Sequence, residues 1–131
     1  MTYMLDTSVC IALMRNDDDA WDVVSSRGLD ALCISTITVH ELAYGPANTP
    51  DLDLRDKRSQ ALEDFLSAIK IQNFDATAAS TAADIRVALK QTSIGYADTL
   101  IAGHALALDL TVVTRNERHF GRVDQLSVER W

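Results

Sequence analysis

The 131-residue chain is 47% hydrophobic with a formal net charge of −7, which suits one compact domain with a real core and is short for two. The acidic balance argues against broad electrostatic attachment to nucleic acid, which needs clustered lysine and arginine. It leaves room for a nucleic-acid enzyme whose acids hold metal, or for docking of a basic partner.

In chain order, Thr2–Asp6 reads as a short buried parallel strand, apolar through Tyr3, Met4 and Leu5 and ending on an acid. Asp6-Thr7-Ser8 offers capping groups for a helix over Val9–Met14. A second helix starts in Asn16–Asp19 and stops at Gly28. Ala31–Ser35 is the second buried strand. Ser35 or Thr36 caps a third helix carrying Thr38, His40, Glu41, Leu42 and Tyr44, which Gly45-Pro46 is expected to end. A polar loop over Asn48–Leu54 leads to a long amphipathic helix with Leu62, Phe65, Leu66 and Ile69 on one face. Ile69–Phe74 is predicted as a third strand. Asp75 or Thr77 caps an alanine-rich helix over Ala78–Gln91, with Ala82, Ile85 and Leu89 inward and Arg86 in a structural ion pair. Leu110–Thr114 is the fourth strand, Asn116–Phe120 a short turn or helix, and Leu126–Val128 a candidate edge strand. Strands and helices alternate, a pattern that builds an α/β fold with a parallel sheet, right-handed crossovers and helices on both faces.

The stretch Ile94–Leu108, IGYADTLIAGHALAL, sets one acid, Asp98, at the start of a helix that is apolar almost all round and therefore buried almost all round. Gly95 breaks the chain ahead of it. A carboxylate there meets the positive end of the helix dipole at the edge of the core, where ionisation needs a counter-charge such as a metal ion. Asp6, at the carboxyl end of the first strand, stands on the sheet edge where α/β folds bind ligands. Taken singly, Asp6 is a helix cap, Glu41 a solvated helix residue and Asp98 a first-turn acid. Their joint occurrence at strand ends and helix starts favours a metal site. His40 and His104 read as packing or surface residues. Arg115, Arg118 and Arg122 form a basic strip that is either solvated or in contact with phosphate. Leu13, Trp21, Leu42 and Tyr44 are either core or the lining of a partner groove.

Four segments, MLDTSVCI at 4–11, STITVHELAYG at 35–45, IGYADTLIAGHAL at 94–106 and VVTRNERHF at 112–120, followed by LSVERW, resemble PIN-domain ribonucleases, specifically VapC toxins of bacterial toxin–antitoxin pairs. The match runs nearly end to end in order and spacing. The terminal aromatic and the IAGHA helix resemble a subgroup that includes enteric toxins that cut initiator transfer RNA. The resemblance implies a PIN-like three-layer α/β/α sandwich over residues 1–131 with a mainly parallel sheet of four to five strands. It implies Asp6, Glu41 and Asp98 as acidic metal ligands, Thr7 as a supporting hydroxyl and Asn116 where some relatives carry a fourth acid. Ser8 stands where many relatives have asparagine, and His119 where they often have an acid. A VapB-like antitoxin, an RNA substrate (transfer RNA by subgroup) and a homodimer are the implied partners.

The chemistry suits these residue types. A divalent cation neutralises the phosphodiester and makes a coordinated water easier to ionise. Three carboxylates favour Mg²⁺, or Mn²⁺ in its place, over zinc. Attack by water rather than the ribose 2′-hydroxyl leaves 5′-phosphate and 3′-hydroxyl ends. An aspartyl-phosphate phosphatase needs a second aspartate where Ser8 stands. A phospho-receiver needs an acidic pair after the first strand and a late lysine, and no lysine follows Lys90. A non-catalytic PIN-like domain that binds RNA or antitoxin is the remaining alternative. No apolar run nears the roughly 20 residues of a membrane helix, and MTYMLDTSV shows no secretory signal pattern, so the expected compartment is the cytoplasm. Cys10 and Cys33, in no CxxC pair, read as small buried hydrophobes.

Overall fold

A computed structural model describes all residues, Met1–Trp131. Five strands, β1 (Tyr3–Leu5), β2 (Leu32–Ser35), β3 (Lys70–Gln72), β4 (Thr111–Thr114) and β5 (Val128–Arg130), form one sheet in the order β3-β2-β1-β4-β5. Every pair is parallel, as strands joined by helical crossovers require. Seven helices connect them: α1 (Thr7–Met14), α2 (Asp18–Arg27), α3 (Thr36–Ala47), α4 (Leu52–Ala68), α5 (Ala76–Ala88), α6 (Tyr96–Ala107) and α7 (Glu117–Phe120).

The alternation of side chains along each strand divides the core in two. Leu5, Leu32, Ile34 and Val113 face a cluster with Val9, Leu13, Ala20, Val24, Leu42 and Leu62. Met4, Cys33 and Val112 face the opposite cluster with Ile85, Ile101, Ala102, Ala105 and Phe120. The register places Met4 beside both Cys33 and Val112, so each face is apolar across neighbouring strands. This is a three-layer α/β/α arrangement. Both cysteines are buried and unpaired, and burial pushes the Cys33 thiol up to about 11.

Four helices start on aspartates whose carboxylates accept from a backbone N–H three residues on: Asp6 for α1, Asp17 for α2, Asp51 for α4 and Asp75 for α5. Ser35 caps α3. Gly95 precedes α6 at φ +97, a conformation open to glycine. Ile101–Ala105 of α6 is buried on consecutive residues, as its all-round apolarity predicts, although Tyr96 and Leu108 reach solvent.

Three expectations need correction. Gly45-Pro46 does not end α3, which runs to Ala47. Proline gives up one intrahelical N–H there, but the Asn48 N–H still reaches Tyr44 O at 2.9 Å and the Thr49 hydroxyl donates to Gly45 O at 2.8 Å, so the last turn closes without it. The final strand lies at Val128–Arg130 rather than Leu126–Val128. Its Glu129 is held by Arg27 at 2.6 Å, and Trp131 packs edge-on against Tyr3 with ring centroids 5.3 Å apart. Arg86 forms no ion pair. Its guanidinium carbon lies 5.9 Å from the centroid of the Tyr96 ring.

Thr38 Oγ1 is the one buried side-chain polar atom without a hydrogen-bond partner, a state that costs about 1–3 kcal/mol. Thr38→Val, nearly the same shape without the hydroxyl, is expected to hold or raise the melting temperature by a few degrees. A fall of several degrees in a thermal melt would show that this hydroxyl is satisfied after all.

Candidate active site

The strand order reverses between β1 and β4: from β1 the chain builds outward through β2 and β3 on one side, then returns to place β4 on the other. Open α/β sheets have their ligand crevice at the carboxyl end of such a switch point. Asp6 stands there, 3% exposed. Its backbone N–H continues the ladder to Val113 O at 2.9 Å. Its Oδ1 accepts from Ser8 Oγ at 2.6 Å and from the Val9 N–H at 3.1 Å, and its Oδ2 accepts from Thr114 Oγ1 at 2.5 Å. Asp6 is therefore both the helix cap and a carboxylate fixed across the crevice.

The other candidates sit around it. Thr7, next in sequence, donates its hydroxyl to Glu41 Oε1 at 2.5 Å and ties α3 to the start of α1. Asp98, in the first turn of α6, accepts from His119 Nδ1 at 3.0 Å. Asn116 lies 2.7 Å from the same ring nitrogen. A His119 N–H given to Asp98 requires Asn116 to present its amide oxygen, not its nitrogen, to that contact. The Asn116 backbone N–H donates to Thr114 Oγ1 at 2.8 Å. Thr114 thus joins Asp6 to the Asn116 turn. It escapes notice in the sequence, where its only signal is a hydroxyl at the end of an otherwise apolar buried strand.

Electrostatically the site is short of positive charge. The ion-paired arginines Arg27, Arg115 and Arg130 serve Glu129, Asp17 and Glu117, none of them a candidate ligand. Only His119 pairs with one of the three acids, although Arg15 and Arg58 line a hollow together with Glu41. Burial, with the charge of Asp98 adding to it, raises the Asp6 carboxyl above the ordinary aspartate range, against the lowering pull of its hydrogen bonds. Arg115 has a positioning role. It grips Asp17 through both terminal nitrogens, reaches the main-chain oxygen of Trp131, and gives its own N–H to Ser8 Oγ. Asp17 is correspondingly held below the usual carboxylate range. His104 lies away from these acids, 1% exposed, bonded to Ser35 Oγ at 2.8 Å and edge-on to Phe74. It is a packing residue, and burial lowers its pKa. Leu13 and Leu42 are core; Trp21 and Tyr44 are exposed.

No three of the His, Cys, Asp and Glu side chains are gathered into a formed ion-holding group. The acids share one edge, but Glu41 is bonded to Thr7 and Asp98 to His119. Their donor chemistry nonetheless fits a hard dication. Glu41 Oε2 and Asp98 Oδ1 have no protein donor, and Asp6 Oδ2 accepts only one hydrogen bond of the two it can take.

The chain matches the PIN domain family over residues 3–126. It is 35% identical over 134 residues to the tRNA(fMet)-specific endonuclease VapC of Salmonella typhimurium and 33% identical over 133 residues to that of Shigella flexneri, in both cases across 100% of this chain and 98% of the relative. The chain belongs to the PIN-domain VapC family. Its fold superposes on a chain of the DNA-bound VapBC crystal structure from Salmonella typhimurium with a TM-score of 0.91 at 33% identity, covering 100% and 98% of the two chains. Within this PIN domain, the hydroxyls of Thr7, Ser8 and Thr114 are the supports of the acids, and Ser8 reaches Asp6 despite being shorter than an asparagine.

Proposed function

We propose that the chain is a divalent-metal-dependent endoribonuclease, the toxin of a type II toxin–antitoxin pair, acting in the cytoplasm and neutralised by a VapB-like antitoxin. The observation that carries this reading is Asp6: a carboxylate buried at the sheet's switch point, fixed by three donors, close to a second carboxylate and paired with no basic side chain. A cation from outside the chain would stabilise such a buried charge. Asp6, Glu41 and Asp98 would hold it. Mg²⁺, with Mn²⁺ as substitute, is the ion that this all-oxygen set suits. Bound there, a dication supplies charge neutralisation at the scissile phosphate and a more acidic water. The chain's own part is positional. Ser8 and Thr114 fix the plane of Asp6, Thr7 fixes Glu41, and His119 orients Asp98 while Asn116 braces His119. The names of the Salmonella and Shigella relatives favour a transfer RNA substrate, initiator tRNA among them. The structures of relatives in VapBC complexes favour the antitoxin, and a homodimer rests on the family resemblance alone.

The test is incubation of the purified chain with total RNA, with and without Mg²⁺, and sequencing of new 5′ ends. Asp6→Asn, Glu41→Gln and Asp98→Asn are each expected to abolish cleavage and to weaken Mn²⁺ binding in calorimetry. If any two of them cut at the wild-type rate, the reading is wrong. Thr7→Val removes a support without removing a ligand, so it is expected to slow cleavage by about tenfold. That loss should be larger at limiting Mg²⁺ than at saturation, measured as initial rates across a Mg²⁺ titration.

A further inference from the structure

Next to the acids lies a hollow of about 420 Å³ whose lining includes Ile37, His40, Glu41, Tyr44, Tyr96 and Leu100. Its size is in the range of small-ligand sites. Glu41 is one of the three candidate acids, and Tyr96 lies two residues before Asp98 on α6. The two tyrosines are left largely in water, 65% exposed for Tyr44 and 70% for Tyr96. On its other side Tyr96 borders a second hollow, about 470 Å³, together with Arg86, Ser93 and Thr99. Arg86 stands near the ring of Tyr96 and, like most basic residues of the chain, has no carboxylate partner, so its charge is free for an anionic ligand. In a chain with net charge −7, a cation beside an exposed aromatic ring, two residues before Asp98 on the same helix, is a specific juxtaposition. Single-stranded RNA is held by this combination: a ring face takes an unstacked base and an arginine takes the backbone.

We propose that Tyr96, with Tyr44, is a stacking platform for an unpaired nucleobase of single-stranded RNA, with Arg86 on a neighbouring phosphate. It takes its place beside the scissile bond from the nuclease reading above. Base binding, however, is measured without metal and without cleavage, so the two ideas fail separately. Substrate choice then depends on whether the RNA can present an unpaired base a short distance from the cut, which favours loops over duplex.

The test uses fluorescein-labelled heptaribonucleotides of uridine and of adenosine, and an abasic heptamer with the same backbone, in EDTA at low salt. Anisotropy titrations of the full chain are expected to show Tyr96→Ala and Tyr44→Ala binding the base-containing strands about tenfold or more weakly, with the abasic strand unchanged. Tyr96→Phe, which keeps the ring, should bind as wild type. Arg86→Gln should weaken all three strands alike and flatten the salt dependence. Should the alanine variants fold poorly, photocrosslinking of a 4-thiouridine heptamer to the wild type is expected to label Tyr96 or Tyr44. Equal affinity of wild type and both alanine variants overturns the proposal, as does an equal loss on the abasic strand or crosslinks confined to other residues. So does a change from dimer to monomer in sedimentation with RNA affinity intact, which would make this face an interface between two copies of the chain.

Discussion

Asp6→Asn is expected to lose about a hundredfold or more in RNA cleavage and yet to melt above the wild type in metal-free buffer. The amide can reproduce most of the carboxylate's contacts. Its oxygen can accept from Ser8 and Val9, and its nitrogen can donate to Thr114 Oγ1, whose own proton must then find another acceptor. What it does not reproduce is the negative charge, which is buried at 3% exposure beside Asp98. A charge kept for function at a cost to stability is the trade-off expected of an active site. A variant that loses activity together with several degrees of melting temperature would instead make Asp6 a structural cap whose charge the fold needs.

The pH dependence separates the two cases further. Because burial raises the folded-state pKa of Asp6, the folded chain binds this proton more tightly than the unfolded chain. Its contribution to stability is therefore fully present below the unfolded value, near 3.9, and is lost as pH rises through the raised folded value. His104 acts in the opposite sense: its depressed pKa costs stability as pH falls below about 6.5. Asp17, held low by Arg115, also favours the folded state at higher pH. The wild-type profile mixes these, so the informative quantity is the difference from Asp6→Asn in EDTA. The advantage of the variant should be present at pH 7 and should vanish by about pH 4.

The three acids were legible as residue types in positions: one closing an apolar strand, one on a helix after the second strand, one opening an apolar helix. Their supports were less so. Thr114 looks like one more β-branched residue in LTVVT until the register places it across the switch point from Asp6. His119 and Asn116, three residues apart, declare a joint role only when α7 turns them toward α6. Arg86 reads from the sequence as half of an ion pair because an arginine on an alanine-rich helix gives no sign of the tyrosine opposite. Gly45-Pro46 carries the local signature of a helix end, but the backbone bonds of Asn48 and the hydroxyl of Thr49 carry α3 past it. In each case the missing information was a partner distant in sequence, which local propensity does not contain.

Gly103 is the strongest instance and has the largest expected effect on stability. In sequence it is a glycine inside a helix, worth a modest gain if replaced by alanine. In the fold it lies against α5, and a Cβ built on it would come within 2.6 Å of Ala82 Cα, Cβ and N. Two of those three atoms are main chain, so no rotamer change relieves the overlap and α6 must move away from α5. Gly103→Ala is expected to cost about 3 kcal/mol, lowering the melting temperature by roughly 10 °C, or to leave the chain insoluble. Ala82→Gly deletes only the Cβ and leaves Cα and N in place, so the double variant should recover only part of the loss. Full recovery by Ala82→Gly would mean that the two side chains alone were in conflict. A stable Gly103→Ala single variant would mean that the helices are not this close. Asp98 lies five residues earlier on the same helix, so any surviving Gly103→Ala protein should also cleave RNA more slowly at limiting Mg²⁺, because the helix that clashes is the one that carries the third acid.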